Sequence, residues 1–359
     1  MKKILIVSCS AGTGHLRAAE ALKQTIEKKY PDCTAVHIDI MTYSDWFIKT
    51  SIADGYNFIV RHLPKFYSLI YKTANLENSA DFLNVFTDLF KINTRKFHKF
   101  IKQYRPDHIV CTHFLVPPFL KKYTDSATLD LVMTDYDINN ICLFPQVRYF
   151  FAPDQELAEK IKHLGYKSFG FGIPLDQQFF QEKNIAELKK DWRVNNGQTT
   201  ILIAAGGTGL SDPLPLVKDI LKNSGHLNLL IASGKNNPRQ KERWEKLEKN
   251  STINLQIIPY TEKFDELMRT ADLVITKPGG LTITEALYLQ KPLLLYSPIP
   301  GQEEANVKFL EKNNLGKMII KPQDTSILIK KVIAKPNFFN KKTISSHVNE
   351  EIVDAVISR

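Results

Sequence analysis

The chain has 359 residues, enough for two domains of ordinary size, each able to bury a core. Hydrophobic residues make up 43% and charged residues 24%, a balance that excludes a disordered or collagen-like chain. The net charge of +10 points to an anionic partner (a phosphorylated substrate, an acidic membrane surface or nucleic acid) or to a solvated lysine-rich surface.

The first residues, Met1 to Cys9, faintly imitate a lipoprotein signal, but their apolar run is too short, and a first strand is expected. Cys9, Cys33, Cys111 and Cys142 are scattered with no CxxC pair, as in proteins with reduced thiols rather than a disulfide framework or zinc site. No apolar run approaches the roughly 18 residues of a membrane span.

Along the chain, short apolar runs alternate with amphipathic helical stretches, the signature of α/β architecture with parallel sheets. Strands are expected at Lys3–Ser8, Ala35–Ile40, His108–Cys111, Leu129–Met133 and Tyr149–Phe151. The pattern restarts with Thr200–Ala204, Leu227–Ile231, Asn254–Ile258, Leu273–Ile275 and Pro292–Leu295. Helices are expected at Leu16–Lys29, Pro213–Asn223, Arg239–Lys249 and Glu303–Asn313. Two doubly wound units in series are the simplest account. The expected division is 1–172 for a first domain, 173–335 for a second, and a tail, 336–359, that could pack back on the first domain.

Thr42 to Arg105 breaks the alternation. It is helical in pattern, aromatic and basic, with Trp46, Phe66, Tyr71, Phe86, Lys91, Arg95, Lys99 and Lys102 among its residues. Aromatic anchors beside cations suit an interfacial helix on anionic lipid. The competing reading is a helical insertion whose aromatics belong to the core.

The candidate chemistry lies after the strands, where open α/β sheets bind ligands. Strand one runs into Ser10-Ala11-Gly12-Thr13-Gly14-His15. Arg17 occupies the third glycine of a dinucleotide fingerprint, which argues against that motif. A glycine loop at Gly12 and Gly14 that clears space for an acceptor, with His15 as general base, is the alternative. A capping or core histidine is the bland reading. In the second half, Gly206, Gly207 and Gly209 follow one strand, and Lys277-Pro278-Gly279-Gly280 follows another. A glycine turn that opens a helix offers backbone N–H groups and a positive dipole end to a diphosphate. Glu285, one turn into that helix, is suited to a ribose diol. A third turn, Pro300-Gly301-Gln302-Glu303, supplies Gln302 and Glu303 for sugar hydroxyls, with Asn306 one turn on; helix capping competes for both acidic-end positions.

Ser10 to His15, Met133-Thr134-Asp135-Tyr136, Thr276 to Glu285 and Pro300 to Asn306 together resemble the diacylglycerol glycosyltransferases. These are the monogalactosyldiacylglycerol synthases and processive diacylglycerol glucosyltransferases of glycosyltransferase family 28, relatives of the peptidoglycan enzyme that moves N-acetylglucosamine onto lipid I. The resemblance implies an α/β GT-B fold of two Rossmann-like doubly wound domains facing a cleft. It implies an inverting enzyme, a UDP-hexose donor, a lipid acceptor and an anionic membrane surface, with no nucleic acid partner. His15 would be the base and Asp135 would stand on the acceptor side. Gly279 and Gly280 would lie at the diphosphate, Glu285 at the ribose, Gln302 and Glu303 at the sugar, and Tyr260 beside the uracil, with Pro278 and Thr282 also in the donor site. Family enzymes show histidine and tryptophan before the next proline, where Asn139 and Cys142 stand here, so acceptor identity stays open. Asp135-Tyr136-Asp137 spells a DxD, but a donor site built on helix termini needs no metal. No cofactor is expected, since the UDP-sugar is a substrate. The expected location is cytoplasmic, attached to the inner face of the plasma membrane. A nucleotide-sugar epimerase of the same fold, or a non-catalytic UDP-sugar-binding protein, is the alternative.

Overall fold

The computed structural model describes residues 1–10, 12–43, 94–138, 142–206, 212–234, 242–244, 246–247 and 252–358. Gly207, Gly209, Asn139, the aromatic stretch 44–93 and most of the expected Arg239–Lys249 helix lie outside the described residues. The chain forms two units. Unit 1 comprises Met1–Asp176, Ile299–Ala305 and Ser345–Arg359, and unit 2 comprises Gln177–Pro298 and Asn306–Ile344. The expected division assigned residues 299–305 to the second domain; by its contacts this segment groups with unit 1.

Unit 1 is built on β1 (Lys3–Ser8), β2 (Thr34–Asp39), β3 (His108–Cys111), β4 (Thr128–Val132), β5 (Tyr149–Phe151) and β6 (Ser168–Phe169). They form one parallel sheet in the order β2-β1-β3-β4-β5-β6. Its helices are α1 (Thr13–Lys29), α2 (Thr94–Tyr104), α3 (Pro117–Leu120), α4 (Gln155–His163) and, from the far end of the sequence, a last helix at Val348–Ser358. Strand β1 reads as an unbroken apolar run because helices cover both faces of a parallel sheet. Ile4, Leu5, Ile6 and Val7 are all fully buried. Helix α1 buries Ala18, Ala19, Leu22 and Ile26, one face of a 3.6-residue period.

Unit 2 repeats the plan with β7 (Thr199–Ala204), β8 (Leu227–Gly234), β9 (Ile253–Pro259), β10 (Leu273–Thr276), β11 (Leu293–Leu295) and β12 (Lys317–Met318). Its order is β12-β11-β10-β7-β8-β9, again parallel throughout. The helices are α5 (Ile185–Asp191), α6 (Leu214–Asn223), α7 (Phe264–Thr270), α8 (Gly280–Tyr288), α9 (Gln302–Lys312, whose first turn groups with unit 1) and α10 (Thr325–Ile333); the last helix at Val348–Ser358 is then α11. The two-residue strands β6 and β12 had no expectation, since a pair of residues carries no periodicity.

Helix α2 revises the reading of the basic aromatic stretch. Phe97 and Ile101 are buried in the core of unit 1, and Phe100 packs against it. Its cations Arg95, Lys96, Lys99 and Lys102 are exposed. In this helix Phe97 and Phe100 therefore pack on the core while the charges face water.

Helix α11 locks onto unit 1 at both ends. At its C-terminal end, Lys2 Nζ donates to the Ile357 carbonyl at 2.7 Å, and the Arg148 guanidinium donates to the Val356 carbonyl at 3.1 Å. Cations there satisfy carbonyls that have no partner within the helix. Arg148 also grips the buried Asp130 through two hydrogen bonds, at 2.9 and 2.5 Å. At the N-terminal end, the buried Asn349 pairs with the backbone of the fully buried Leu175. It accepts from the N–H at 3.0 Å and donates to the carbonyl at 2.7 Å. Replacing this amide orphans two buried backbone groups. Asn349→Ala is expected to lower stability by about 1–3 kcal/mol in urea unfolding of the full chain. An unchanged midpoint would show that the pair contributes nothing net.

Candidate active site

In each sheet the chain leaves a central strand, runs to one edge, and then returns to the other side of that strand. In unit 1 the reversal lies between β1 and β3, and in unit 2 between β7 and β10. The strand ends at such a reversal bound the crevice in which doubly wound folds hold ligands.

At the unit 1 reversal, β1 gives way to α1. Gly12 is the N-cap, in extended conformation at φ −174°, and α1 begins at Thr13. Gly14 is therefore a helical residue, which corrects its expected place in a loop; one glycine in a first turn costs little, because its N–H has no intrahelical acceptor anyway. Gly12 stays outside the helix, and a Cβ there would stand 3.7 Å from His15 Cδ2. His15 lies in the first turn. Its Nδ1 is 2.8 Å from the Thr112 carbonyl and 2.8 Å from Thr134 Oγ1. A carbonyl only accepts, so Nδ1 carries the proton and donates. In the neutral ring Nε2 is then the basic nitrogen. Thr112 also ties its hydroxyl to the His15 carbonyl at 2.9 Å. Burial lowers the His15 pKa below its usual 6.5, while the Asp135 charge and the Thr112 hydrogen bond act in the opposite sense.

His113 follows Thr112. It is 4% exposed, and its ring centroid lies 4.2 Å from that of His15. The Leu115 N–H donates to His113 Nδ1 at 3.1 Å. Burial and the neighbouring His15 push the His113 pKa well below 6.5. Asp135, after β4, receives a hydrogen bond from Gln302 Nε2. Glu303 accepts from the Ile299 N–H at 2.6 Å and Glu304 from the Gly301 N–H at 3.0 Å. The carboxylate of Glu303 thus shapes the turn before α9, the capping role weighed against sugar binding.

At the unit 2 reversal, β10 ends at Thr276 and α8 begins at Gly280. Gly279 is the N-cap with no side-chain hydrogen bond, and the first bond within the helix is Ile283 N–H to the Gly279 carbonyl at 3.0 Å. The N–H groups of the first turn, which includes Thr282, have no acceptor within the helix, the arrangement that suits an anion. Asn306 is fully buried and donates to the Pro278 carbonyl at 2.9 Å. It supports the Pro-Gly-Gly turn through that carbonyl. Glu285 is also fully buried, on the inner side of α8. Across from this turn, Gly206 follows β7 at φ +83°, a conformation glycine adopts without strain. The Lys277 side chain lies over it, its Cδ 3.8 Å from where a Cβ on Gly206 would be. Tyr260 follows β9 and is 56% exposed. Three strand spacings, about 14 Å, separate β9 from β10, so the sheet does not bring Tyr260 to the Pro-Gly-Gly turn.

Thr112, His113, Thr134 and Lys277 did not stand out as site residues in the sequence. The first three join His15 from 97 to 119 positions away, and no local pattern announces such neighbours. For Lys277 the signal was present, a lysine directly before the glycine turn.

Residues 15–175 match the monogalactosyldiacylglycerol (MGDG) synthase family, and residues 200–353 match the glycosyltransferase family 28 C-terminal domain. A curated relative from Bacillus licheniformis, a processive diacylglycerol beta-glucosyltransferase, is 26% identical over 362 residues, spanning 96% of this chain and 91% of that protein. Among solved structures, MurG of Acinetobacter baumannii aligns over the whole of both chains with a TM-score of 0.61 at 13% identity. The UDP-GlcNAc 2-epimerase of Neisseria meningitidis, bound to UDP-GlcNAc, aligns over the whole of both chains with a TM-score of 0.65 at 14% identity. At such identities the structures establish the GT-B-like fold alone. The chain carries a monogalactosyldiacylglycerol synthase family domain and a glycosyltransferase family 28 C-terminal domain, and is a glycosyltransferase.

Proposed function

We propose that this enzyme transfers a hexose from a UDP-sugar, with inversion, to a hydroxyl of a membrane lipid, diacylglycerol or a glycosyl-diacylglycerol. The observation that carries the reading is His15 Nδ1 held by the Thr112 carbonyl, which leaves Nε2 as a base beside a strand end. In the reaction Nε2 takes the proton of the acceptor hydroxyl. That oxygen bonds to the anomeric carbon from the face opposite the leaving group. The bond from the anomeric carbon to the diphosphate oxygen breaks, and its electron pair departs with UDP. The uncapped start of α8 and the ammonium of Lys277 supply positive potential for that charge, so the residues themselves offer a seat for the leaving group. The UDP-sugar donor is supported by the matched family and by the ligand named for the epimerase. The lipid acceptor is supported by the names of the family and its relatives.

An anionic membrane surface is supported by the face of α2. No helix among the described residues is long and apolar enough to cross a membrane. The exposed cations of α2 are joined by Lys121 and Lys122, which follow α3. Burial, then the charges of Lys122 and Lys102, depress the His98 pKa to about 4, so cations of both segments act on this side chain. In the proposed arrangement these cations attach the enzyme peripherally to the cytoplasmic leaflet.

The transferase reading is tested with the purified full chain, diacylglycerol vesicles and UDP-glucose, UDP-galactose or UDP-N-acetylglucosamine, with lipid products read by mass spectrometry. Transfer from one of these is expected, and His15→Ala should lower it by roughly 10²-fold or more. Product from UDP-sugar alone would favour the epimerase reading, and failure to bind any UDP-sugar by calorimetry would sink both.

The pH dependence has a defined sign. Only neutral His15 accepts a proton, and its pKa lies below 6.5. The acid limb of kcat/KM is therefore expected to reach half its height below pH 6.5. Asp135→Asn removes an influence that raises this pKa, so the limb should move further toward acid. A shift toward alkaline pH would contradict the assignment.

Lys99→Glu and Lys102→Glu should each weaken sedimentation with anionic vesicles by about fivefold or more, since a lysine at such a surface contributes about 1 kcal/mol. Equal binding of wild type and variants would remove α2 from the membrane face.

A further inference from the structure

We infer that His113 is an acceptor-binding residue: its Nε2–H donates to an oxygen on the carbon next to the one bearing the reacting hydroxyl. The inference rests on the proposed role of His15 and extends it to the chemistry of the acceptor.

Three observations carry it. First, the tautomer of His113 is fixed. Leu115 N–H donates to Nδ1, so that nitrogen holds the lone pair and Nε2 holds the proton. Second, Nε2–H makes no hydrogen bond among the described residues, whereas Nδ1 is engaged. A ring N–H with no protein partner beside a proposed catalytic base marks a place for a ligand atom. Third, the two imidazoles are neighbours with opposite polarity. Their centroids are 4.2 Å apart, tilted by 60°. His15 offers a lone pair at Nε2, because its Nδ1–H is committed to Thr112. His113 offers a proton at Nε2, because its Nδ1 is committed to Leu115.

A basic nitrogen beside a donor nitrogen suits a molecule that presents a donor oxygen beside an acceptor oxygen. A hydroxyl on one carbon and an ether, ester or hydroxyl oxygen on the next has that character. When the two oxygens are gauche they lie close enough together to meet both of two imidazoles whose centroids are 4.2 Å apart. A glycerol with one free terminal hydroxyl and an ester at its central carbon fits. So does the primary alcohol of a pyranose, whose neighbouring carbon bears the ring oxygen. One donor would therefore select both a diacylglycerol and a hexosyl lipid, without contact to the acyl chains.

The experiment compares two acceptors in wild type, His113→Phe, His113→Gln and His113→Asn. One is a 1,2-diacylglycerol. The other is a monoacyl ester of propane-1,3-diol, which keeps the primary hydroxyl but has no oxygen on the neighbouring carbon. The ratio of kcat/KM for the two within one preparation does not depend on how much of the variant is folded. Wild type is expected to favour the diacylglycerol by about tenfold. In His113→Phe the ratio should fall to near one. His113→Gln, whose Nε2 reaches the position of the imidazole Nε2, should retain most of the preference, and His113→Asn should not. A full wild-type ratio in His113→Phe overturns the inference and leaves the transferase reading intact. No transfer to either acceptor by wild type overturns both.

Discussion

The molecule depends on one constraint, the parallel pairing of every strand in both sheets. Parallel strands place all their carboxyl ends on one edge, and every following helix then presents its N-terminus there. Backbone N–H groups and positive dipole ends gather at that edge before any side chain is chosen. The reversal of strand order opens a gap in the edge beside β1 in one sheet and beside β7 in the other. Glycine turns at both gaps bare the backbone. What distinguishes the two is the side chains added: histidines and threonines after β1 and β3, a lysine after β10. The same geometry suits a proton acceptor in one unit and an anion seat in the other.

Each group of the site is held by another part of its own unit. The orientation of His15 comes from a strand-end carbonyl. The Pro278 turn is backed by an asparagine inaccessible to water. The turn before α9 is shaped by two carboxylates of its own first helical residues, Glu303 and Glu304. Groups positioned this way need little reorganisation when charge develops, which favours electrostatic stabilisation in an enzyme.

The sheets were legible because strands covered on both sides must be apolar throughout. Runs such as Ile4 to Val7 and Ile201 to Ala204 have no other reading once their lengths are considered. The glycine turns were legible for the same reason, since they interrupt apolar runs at fixed places. The start of α1 was set too late because the glycines at 12 and 14 look alike in sequence, while only the first lies outside the helix. The division of labour in α2 was hidden as well: alternating aromatics and lysines fit a membrane face or a core face equally, and packing at Phe97 decides. Least legible were contacts between distant strand ends. A threonine and a histidine closing a four-residue strand signal nothing until the sheet sets β3 beside β1.

Helix α11 adds a consequence of timing. Unit 1 draws its sheet from the first 176 residues and its closing helix from residues beyond 345. Domains otherwise tend to fold as they emerge from the ribosome. At ~5–20 residues per second, the sheet waits on the order of ten to thirty seconds for the amide that pairs with Leu175 and the carbonyls that take Lys2 and Arg148. During that interval the surface destined for α11 is open to chaperones or to a neighbouring nascent chain. The portion of the enzyme that is made first is finished last.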